Sequence, residues 1–96
     1  MNILTVCGMG FGTSLMLFME IQKIAKEEGY KIDGEATDIS NAKGRKVDLI
    51  VASSEIASQL SDEDSKIIPI NNILDNEEIK NKVLPEIKTY YENMEE

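Results

Sequence analysis

The sequence predicts a single α/β domain, residues 1–96, built on an open four-stranded parallel sheet with helices on both faces. Short apolar segments alternate with amphipathic ones along the whole chain, which is the pattern of a layered α/β protein. A glycine-rich turn follows the first apolar segment, where such folds pass from a strand into a helix. Ninety-six residues could not fill a second core, so one domain is expected.

The chain opens with a predicted strand, a glycine loop and a helix. Residues 2–6 form a short apolar run with β-branched side chains, typical of a buried parallel strand. Residues 14–28 carry apolar side chains at the spacing of one helix face, and Gly29 is a natural C-terminal cap. The stretch between them holds the three glycines.

Residues 30–46 predict one weak strand and at most one short helix. Residues 30–36 alternate loosely, and Asp33 with Gly34 weakens the pattern, so we expect an edge strand. Residues 38–46 are polar and allow at most a short helix that ends at Gly44.

The third predicted strand is residues 47–52, "VDLIVA", which is apolar enough to be buried. The segment Ser53-Ser54-Glu55 then begins a short helix, and its serines are expected to cap that helix. Because Ser53 and Ser54 end a strand, they could also face the loop that follows the first strand.

The last predicted strand, residues 66–70, contains Pro69, which cannot donate to a neighbouring strand and therefore favours an edge. Asp75 and Glu78 resemble a capping box at the start of the final helix. Pro85 is expected to bend or restart that helix, whose Tyr90 and Tyr91 are interpreted as packing residues.

This order of elements predicts strand order 2-1-3-4 in a three-layer sandwich of the Rossmann-like and phosphatase-like kind. Ligands of such sheets bind beyond the carboxyl ends of the strands. The loop after the first strand is therefore the default site, and Cys7 opens it.

Composition excludes several classes of function. A net charge of −8 argues against nucleic acid as a partner. One cysteine and no histidine leave neither a disulfide nor a metal site to expect, and no cofactor is predicted. No apolar run approaches the length of a membrane span and the N-terminus does not resemble a signal peptide, so we expect a cytoplasmic protein without membrane insertion.

The stretch "CGMGFGTS", residues 7–14, is suited to holding a phosphate on the cysteine. Glycines permit the backbone angles with which successive N–H groups surround an anion, and the following helix adds the positive end of its dipole. Residues 1–19 contain no charged side chain, so backbone N–H groups and hydroxyls would have to hold the anion. We therefore predict Cys7 as a nucleophile that forms a covalent thiophosphate.

Other phosphate-loop classes fail on spacing. A nucleoside-triphosphate loop requires a lysine before its Ser or Thr, and this loop has none. A dinucleotide fingerprint needs glycine or alanine where Thr13 or Leu15 stands. Cysteine phosphatases place an arginine at the sixth position after the cysteine, which is again Thr13. Without that arginine or a neighbouring acid, transfer of the phosphoryl group is favoured over its hydrolysis.

On these residues the chain resembles the IIB components of the phosphoenolpyruvate-dependent sugar phosphotransferase system. The resemblance covers nearly the whole chain and is most specific in residues 3–17, "ILTVCGMGFGTSLML". Together with "DLIVAS" at residues 48–53, the loop is most similar to the ascorbate branch, and less similar to the galactitol and lactose/cellobiose types.

The resemblance implies a phosphoryl relay. A IIA protein phosphorylated on histidine would pass its phosphoryl group to Cys7, which would pass it to a sugar carried across the membrane by a IIC permease. The phosphate-binding residues would be Gly8, Met9, Gly10, Phe11, Gly12, Thr13 and Ser14. The protein is expected to be a monomer on its own.

Two large apolar residues in this loop, Met9 and Phe11, stand where polar side chains would be expected to bind the phosphate. They could pack against the domain, or they could form an apolar rim that docks IIA and IIC in turn. Two other functions stay open at this point: a cysteine phosphatase of the low-molecular-weight kind that lacks its arginine, and a thiol sensor or anion-binding module.

Overall fold

The architecture is the expected parallel sheet, seen in a computed structural model that describes residues 1–7, 11–42, 44–60 and 65–94, without the side chains of Phe11 and Met94. Four strands pair in parallel in the order β2-β1-β3-β4, which confirms the predicted topology. In chain order the elements are β1 (Asn2–Val6), α1 (Phe11–Glu27), β2 (Asp33–Thr37), α2 (Ile39–Ala42), β3 (Leu49–Ser53), α3 (Ser54–Gln59), β4 (Lys66–Ile70) and α4 (Asn76–Met94).

Two apolar cores cover the two faces of the sheet. On one face, Ile3 packs with buried side chains of α1 and α4, including Ile21 and Ile79. On the other face, Leu4 packs with buried residues of α2 and α3, including Ile56. The alternation along β1 follows from the two-residue period of a strand. None of the described helices has the length and apolarity that a membrane span requires.

The register brings all four strand ends to one edge of the sheet. Val6 lies opposite Thr37 on one side and Ala52 on the other, and Ala52 in turn lies opposite Pro69. The residues that follow these four positions are therefore neighbours across the edge, although they are far apart in sequence. As predicted, β2 and the Pro69 strand β4 lie at the edges.

Element boundaries differ from the sequence prediction at three places, one of them β3, which is Leu49–Ser53 and not residues 47–52. Helix α1 begins at Phe11, three residues before the predicted Ser14. Strand β2 begins at Asp33 and not at Tyr30, because the N–H of Tyr30 donates to the Ala25 carbonyl oxygen (2.8 Å) and so completes the end of α1.

Helix α4 is continuous through Pro85, so the predicted restart there is wrong. Pro85 is exposed, while Leu84 and Ile87 beside it are buried in the core, and this packing offsets the lost backbone bond. Near the end of α4, Tyr91 stacks on Tyr30 with ring centroids 5.3 Å apart and donates a hydrogen bond to the Lys31 carbonyl oxygen, which confirms its interpretation as a packing residue.

The start of α4 is held by two carboxylates with separate tasks. Asp75 Oδ1 accepts from the N–H groups of Glu77 (3.1 Å) and Glu78 (3.2 Å), as a helix cap does. The Glu78 carboxylate does not complete a capping box. It accepts instead from the N–H groups of Asn71 (2.7 Å) and Asn72 (2.9 Å), and so fixes the turn that follows β4.

Lys82 completes this arrangement, which we call the Glu78 clamp: Glu78, Lys82 and the two asparagine N–H groups. Lys82 Nζ lies 2.7 Å from Glu78 Oε2 and donates to the Pro69 carbonyl oxygen at 3.0 Å. The hydrogen bond from Lys82, followed by that from the Asn71 backbone, lowers the pKa of Glu78 from 4.5 to about 2.

We predict that the Glu78 clamp makes stability depend on pH in the acid range. Because the folded-state pKa is lowered, the stabilisation is present above about pH 4.5 and is lost as the pH falls toward about 2. Glu78→Gln should lower the free energy of unfolding by about 1 kcal/mol at pH 7, and the difference from wild type should shrink toward pH 2. Urea unfolding at a series of pH values measures this.

The matched control is Glu77→Gln, whose exposed side chain lies outside the clamp. If Glu77→Gln and Glu78→Gln gave the same dependence of stability on pH, the clamp would not be the cause.

Gly34 in β2 has a backbone position that other residues cannot occupy. Its φ is +136°, and a Cβ built there would lie 1.8 Å from the Ile3 carbonyl oxygen. We predict that Gly34→Ala destabilises the protein by more than about 2 kcal/mol, because it combines unfavourable φ with a backbone clash. Gly12→Ala is the control: outside the first turn of α1 no described atom lies within 4 Å of a Cβ built there, and alanine is the better helix former, so stability should rise. Thermal unfolding of both variants measures these changes in stability, and equal melting temperatures would contradict the prediction.

Candidate functional site

A cleft of about 680 Å³ lies at the carboxyl edge of the sheet, and Cys7 lines it. We call it the Cys7 cleft. Its walls come from three connections that leave the strand ends: the first turns of α1, the start of α3, and the turn between β4 and α4. The lining residues besides Cys7 are Thr13 and Met16, residues 53–56, and residues 71–74. The default site predicted from topology is therefore a cleft.

Cys7 is the first residue after β1 and is only 4% exposed. Its place follows from the strand, because β1 is central in the sheet and its buried side chains fix where the chain leaves it. The thiol thus lies in a sheltered position at the cleft, next to Thr13 of α1.

The N-terminus of α1 supplies backbone N–H groups near Cys7. Phe11, Gly12 and Thr13 are the first three residues of this helix, and the N–H groups at the start of a helix have no partner within it. The positive end of the helix dipole lies at the same place. The arrangement can hold an anion such as a phosphoryl group.

The predicted loop residues have different positions in the structure. Gly8, Met9, Gly10 and the side chain of Phe11 lie outside the described residues. Gly12 is part of α1 and has no positive φ, so its predicted role as a loop glycine with unusual backbone angles is wrong. It is a helix residue, and its lack of a side chain leaves the first turn of α1 uncovered.

Thr13 and Ser14, the two predicted hydroxyl residues, differ in exposure. Thr13 lines the cleft and is partly exposed. Ser14 is fully buried, and its carbonyl oxygen accepts a hydrogen bond from Thr5 Oγ1 at 2.8 Å. Of the two hydroxyls predicted to face a phosphate, only that of Thr13 belongs to a residue lining the cleft.

The wall opposite α1 carries hydroxyl and amide groups. Ser53 occupies the N-cap position of α3, but its side chain makes no capping hydrogen bond, so that predicted role is wrong. Ser54 Oγ lies 2.5 Å from Asn71 Oδ1 and donates to it, which joins the β3 and β4 connections. Both serines line the cleft, as the alternative interpretation allowed.

Sequence reasoning missed the turn after β4. Asn71, Asn72 and Leu74 line the Cys7 cleft, and the Glu78 clamp holds this turn from behind. The signal that could have found them is topological, because residues 71–74 follow a parallel strand at the same edge as Cys7.

The described lining of the Cys7 cleft carries almost no charge. Glu55 is the only ionisable side chain besides the thiol among its described lining residues, and none of them is a lysine or arginine. An anion bound there would be held by N–H and hydroxyl groups, as predicted. The arginine by which cysteine phosphatases grip phosphate is absent from this described lining.

Exposed apolar side chains lie beside the cleft. Leu74 is 72% exposed and Met16 is 59% exposed, and both line it. Met19, also exposed, lies three residues after Met16 on the same helix face, and the exposed Leu15 lies four residues before Met19. We call these four residues the apolar patch.

Comparisons with known proteins agree with this geometry. A relative from Mycoplasma pneumoniae, the ascorbate-specific PTS system EIIB component, is 34% identical over 83 residues, which cover 83% of this chain and 87% of the relative. Among solved structures, the lactose-specific IIB component domain from Streptococcus pneumoniae superposes with a TM-score of 0.58 at 16% identity, covering 96% of this chain and 95% of that one.

The enzyme IIB subunit of a PTS system from Escherichia coli K12 superposes with a TM-score of 0.53 at 18% identity, covering 99% of this chain and 95% of that one. At these identities the two structures support the fold alone. The model of the family described as "PTS system, Lactose/Cellobiose specific IIB subunit" matches residues 2–84. The chain therefore belongs to this family of IIB components of the sugar phosphotransferase system, and is a phosphotransferase component.

Proposed function

We propose that Cys7 carries a phosphoryl group from a histidine-phosphorylated IIA protein to a sugar that a membrane IIC permease transports. The observation that carries this proposal is the position of Cys7, in a cleft whose described lining is almost uncharged, beside the N-terminus of α1. This position offers N–H groups to a phosphoryl group on the sulfur, and none of the described lining residues is a cation that would assist its hydrolysis.

The proposed relay has two displacements at phosphorus. In the first, the Cys7 thiolate attacks the phosphorus of phosphohistidine; the S–P bond forms, the N–P bond breaks, and the imidazole of IIA leaves. In the second, a sugar hydroxyl attacks the phosphorus; the O–P bond forms, the S–P bond breaks, and the hydroxyl proton passes to a base or to water. The N–H groups of residues 11–13 would stabilise the charge on the equatorial oxygens in both steps.

For the substrate we favour an ascorbate-type sugar acid. The support is the 34% identity to a relative whose name specifies ascorbate, together with the loop resemblance in residues 3–17. The family description names lactose and cellobiose, so the family alone does not choose the sugar.

We further propose that this chain acts at the cytoplasmic side of the membrane, where it binds IIA and IIC in turn as a monomer. The apolar patch supports a shared docking face, because exposed side chains such as Leu74 and Met16 surround the cleft that must be covered during transfer. The described side chains of the patch thus take the role that the sequence suggested for Met9 and Phe11, whose side chains lie outside the description.

We predict that the wild-type protein gains one phosphoryl group when it is incubated with phosphoenolpyruvate, the two general phosphotransferase proteins and a matching ascorbate-class IIA. Cys7→Ser should gain none, because the serine hydroxyl is a far weaker nucleophile than a thiolate near neutral pH. Intact-protein mass spectrometry measures the added mass. A phosphorylated IIA that leaves wild-type protein unmodified would contradict the proposal, and steady release of inorganic phosphate from an aryl phosphate would favour the phosphatase instead.

A second prediction concerns docking by the apolar patch. Leu74→Ser should raise the KM for phosphorylated IIA by about 5- to 30-fold with little change in kcat. The substitution removes apolar area that IIA would cover on docking, and it does not touch the reacting atoms. Stopped-flow or quench-flow measurements of phosphoryl transfer give both constants. Lys31→Ser, an exposed change in the connection between α1 and β2, is the control. A docking role for Leu74 is refuted if both variants keep the wild-type KM.

A further inference from the structure

Thr5 is a polar residue in a position that an apolar side chain could fill. It is fully buried in the central strand β1, between Leu4 and Val6, which pack into the core on the opposite face of the sheet. A buried hydroxyl without a partner costs free energy, so a hydroxyl at this place requires a specific acceptor. That acceptor is the Ser14 carbonyl oxygen in α1, at 2.8 Å.

The hydrogen bond joins the two ends of the phosphate-binding segment. Thr5 is two residues before Cys7, and Ser14 ends the first four residues of α1; the two partners are nine residues apart in sequence. Between them lie the nucleophile and the N–H groups predicted to bind the phosphoryl group. The bond therefore closes this segment at its base, from inside the core.

Closure matters here because of the segment's sequence. Residues 5–14 contain three glycines and no charged side chain, so ordering this backbone costs much conformational entropy and no side chain of the segment can form an ion pair. A carbonyl oxygen has two lone pairs, so Ser14 can accept from Thr5 without giving up its bond within the helix. The Thr5 hydroxyl thus adds a tie between strand and helix.

We propose that Thr5 is a positioning residue, whose hydroxyl holds Cys7 in place against the first turn of α1. Its relevance to catalysis rests on the proposed function, since in-line transfer requires the sulfur and the N–H groups at a fixed spacing, and a small misplacement is costly. Thr5 does not touch the reacting atoms. It acts through the backbone on either side of them.

The test compares Thr5→Val, which has nearly the same shape but no hydroxyl, with Thr5→Ser, which keeps it. Ile50→Val is the control, because it removes one methyl group from the buried face of β3 and should cost a similar amount of stability, about 0.5–1.5 kcal/mol. All four proteins are first shown to be folded by circular dichroism and urea unfolding.

The first readout is phosphoryl transfer from phosphorylated IIA. We expect Thr5→Val to lower kcat by about 5- to 50-fold with an unchanged KM, because Thr5 is buried behind the docking face. Thr5→Ser should restore kcat to within about twofold of wild type. If Thr5→Val and Ile50→Val have the same kcat, the positioning role is overturned.

The second readout needs no partner. Cys7 is the only thiol and is 4% exposed, so its alkylation by iodoacetamide reports how firmly the segment holds it. Thr5→Val should be alkylated at least about threefold faster than wild type and Ile50→Val, and Thr5→Ser should not. Equal rates in all four proteins overturn the positioning role. A wild-type protein that accepts no phosphoryl group overturns the proposed function, and alkylation alone then decides the position of Cys7.

Discussion

Parallel pairing of β1 with both β2 and β3 is the constraint on which the site depends. Because the chain moves from β1 to one side of the sheet for β2 and then returns to the other side for β3, the connections that follow β1 and β3 diverge. A crevice opens where they part, and in sheets of this kind that is where ligands bind. Cys7 leaves β1 at this point and Ser53 ends β3 beside it.

The chemistry of the Cys7 cleft follows from what its walls lack as much as from what they hold. A cationic side chain would stabilise a bound phosphoryl group, but it would also assist attack by water. Backbone N–H groups at the N-terminus of α1 can stabilise an anion from a fixed geometry and without a charged side chain. Thr13, at the position where a phosphatase carries its arginine, is consistent with a site that holds a phosphoryl group briefly and then releases it to an acceptor.

The elements and the nucleophile could be predicted from sequence because local signals agree with the fold. The strand before Cys7 is short, apolar and followed by glycine, as a central parallel strand is. Pro69 marks an edge strand, and both features agree with the observed strand order. Element ends were harder, since they depend on tertiary contacts. Tyr30 looks like a strand residue, but its N–H completes the end of α1 and its ring stacks on Tyr91, a residue far away in sequence.

One wall of the cleft, formed by residues 71–74, was not predicted, for a related reason. Asn71 and Leu74 belong to no motif, and only the register of β4 against β3 brings them to the cleft. Ser14 was predicted to bind the phosphate as well; it is buried and is not among the described residues that line the cleft. The spacing of residues in the sequence predicts which side chains share a face of one strand or helix. It does not predict which residues of two different elements meet.

The two walls of the cleft are each held from behind, and this leaves their front surfaces available. On one wall the Thr5 hydroxyl bonds the Ser14 carbonyl within the core; on the other, Glu78 and Lys82 hold the backbone of the turn after β4. Neither arrangement uses the N–H groups of residues 11–13 or the apolar patch. The proposed carrier would meet IIA and IIC through one face and would need this separation, because groups used for internal support could not also be offered to a partner.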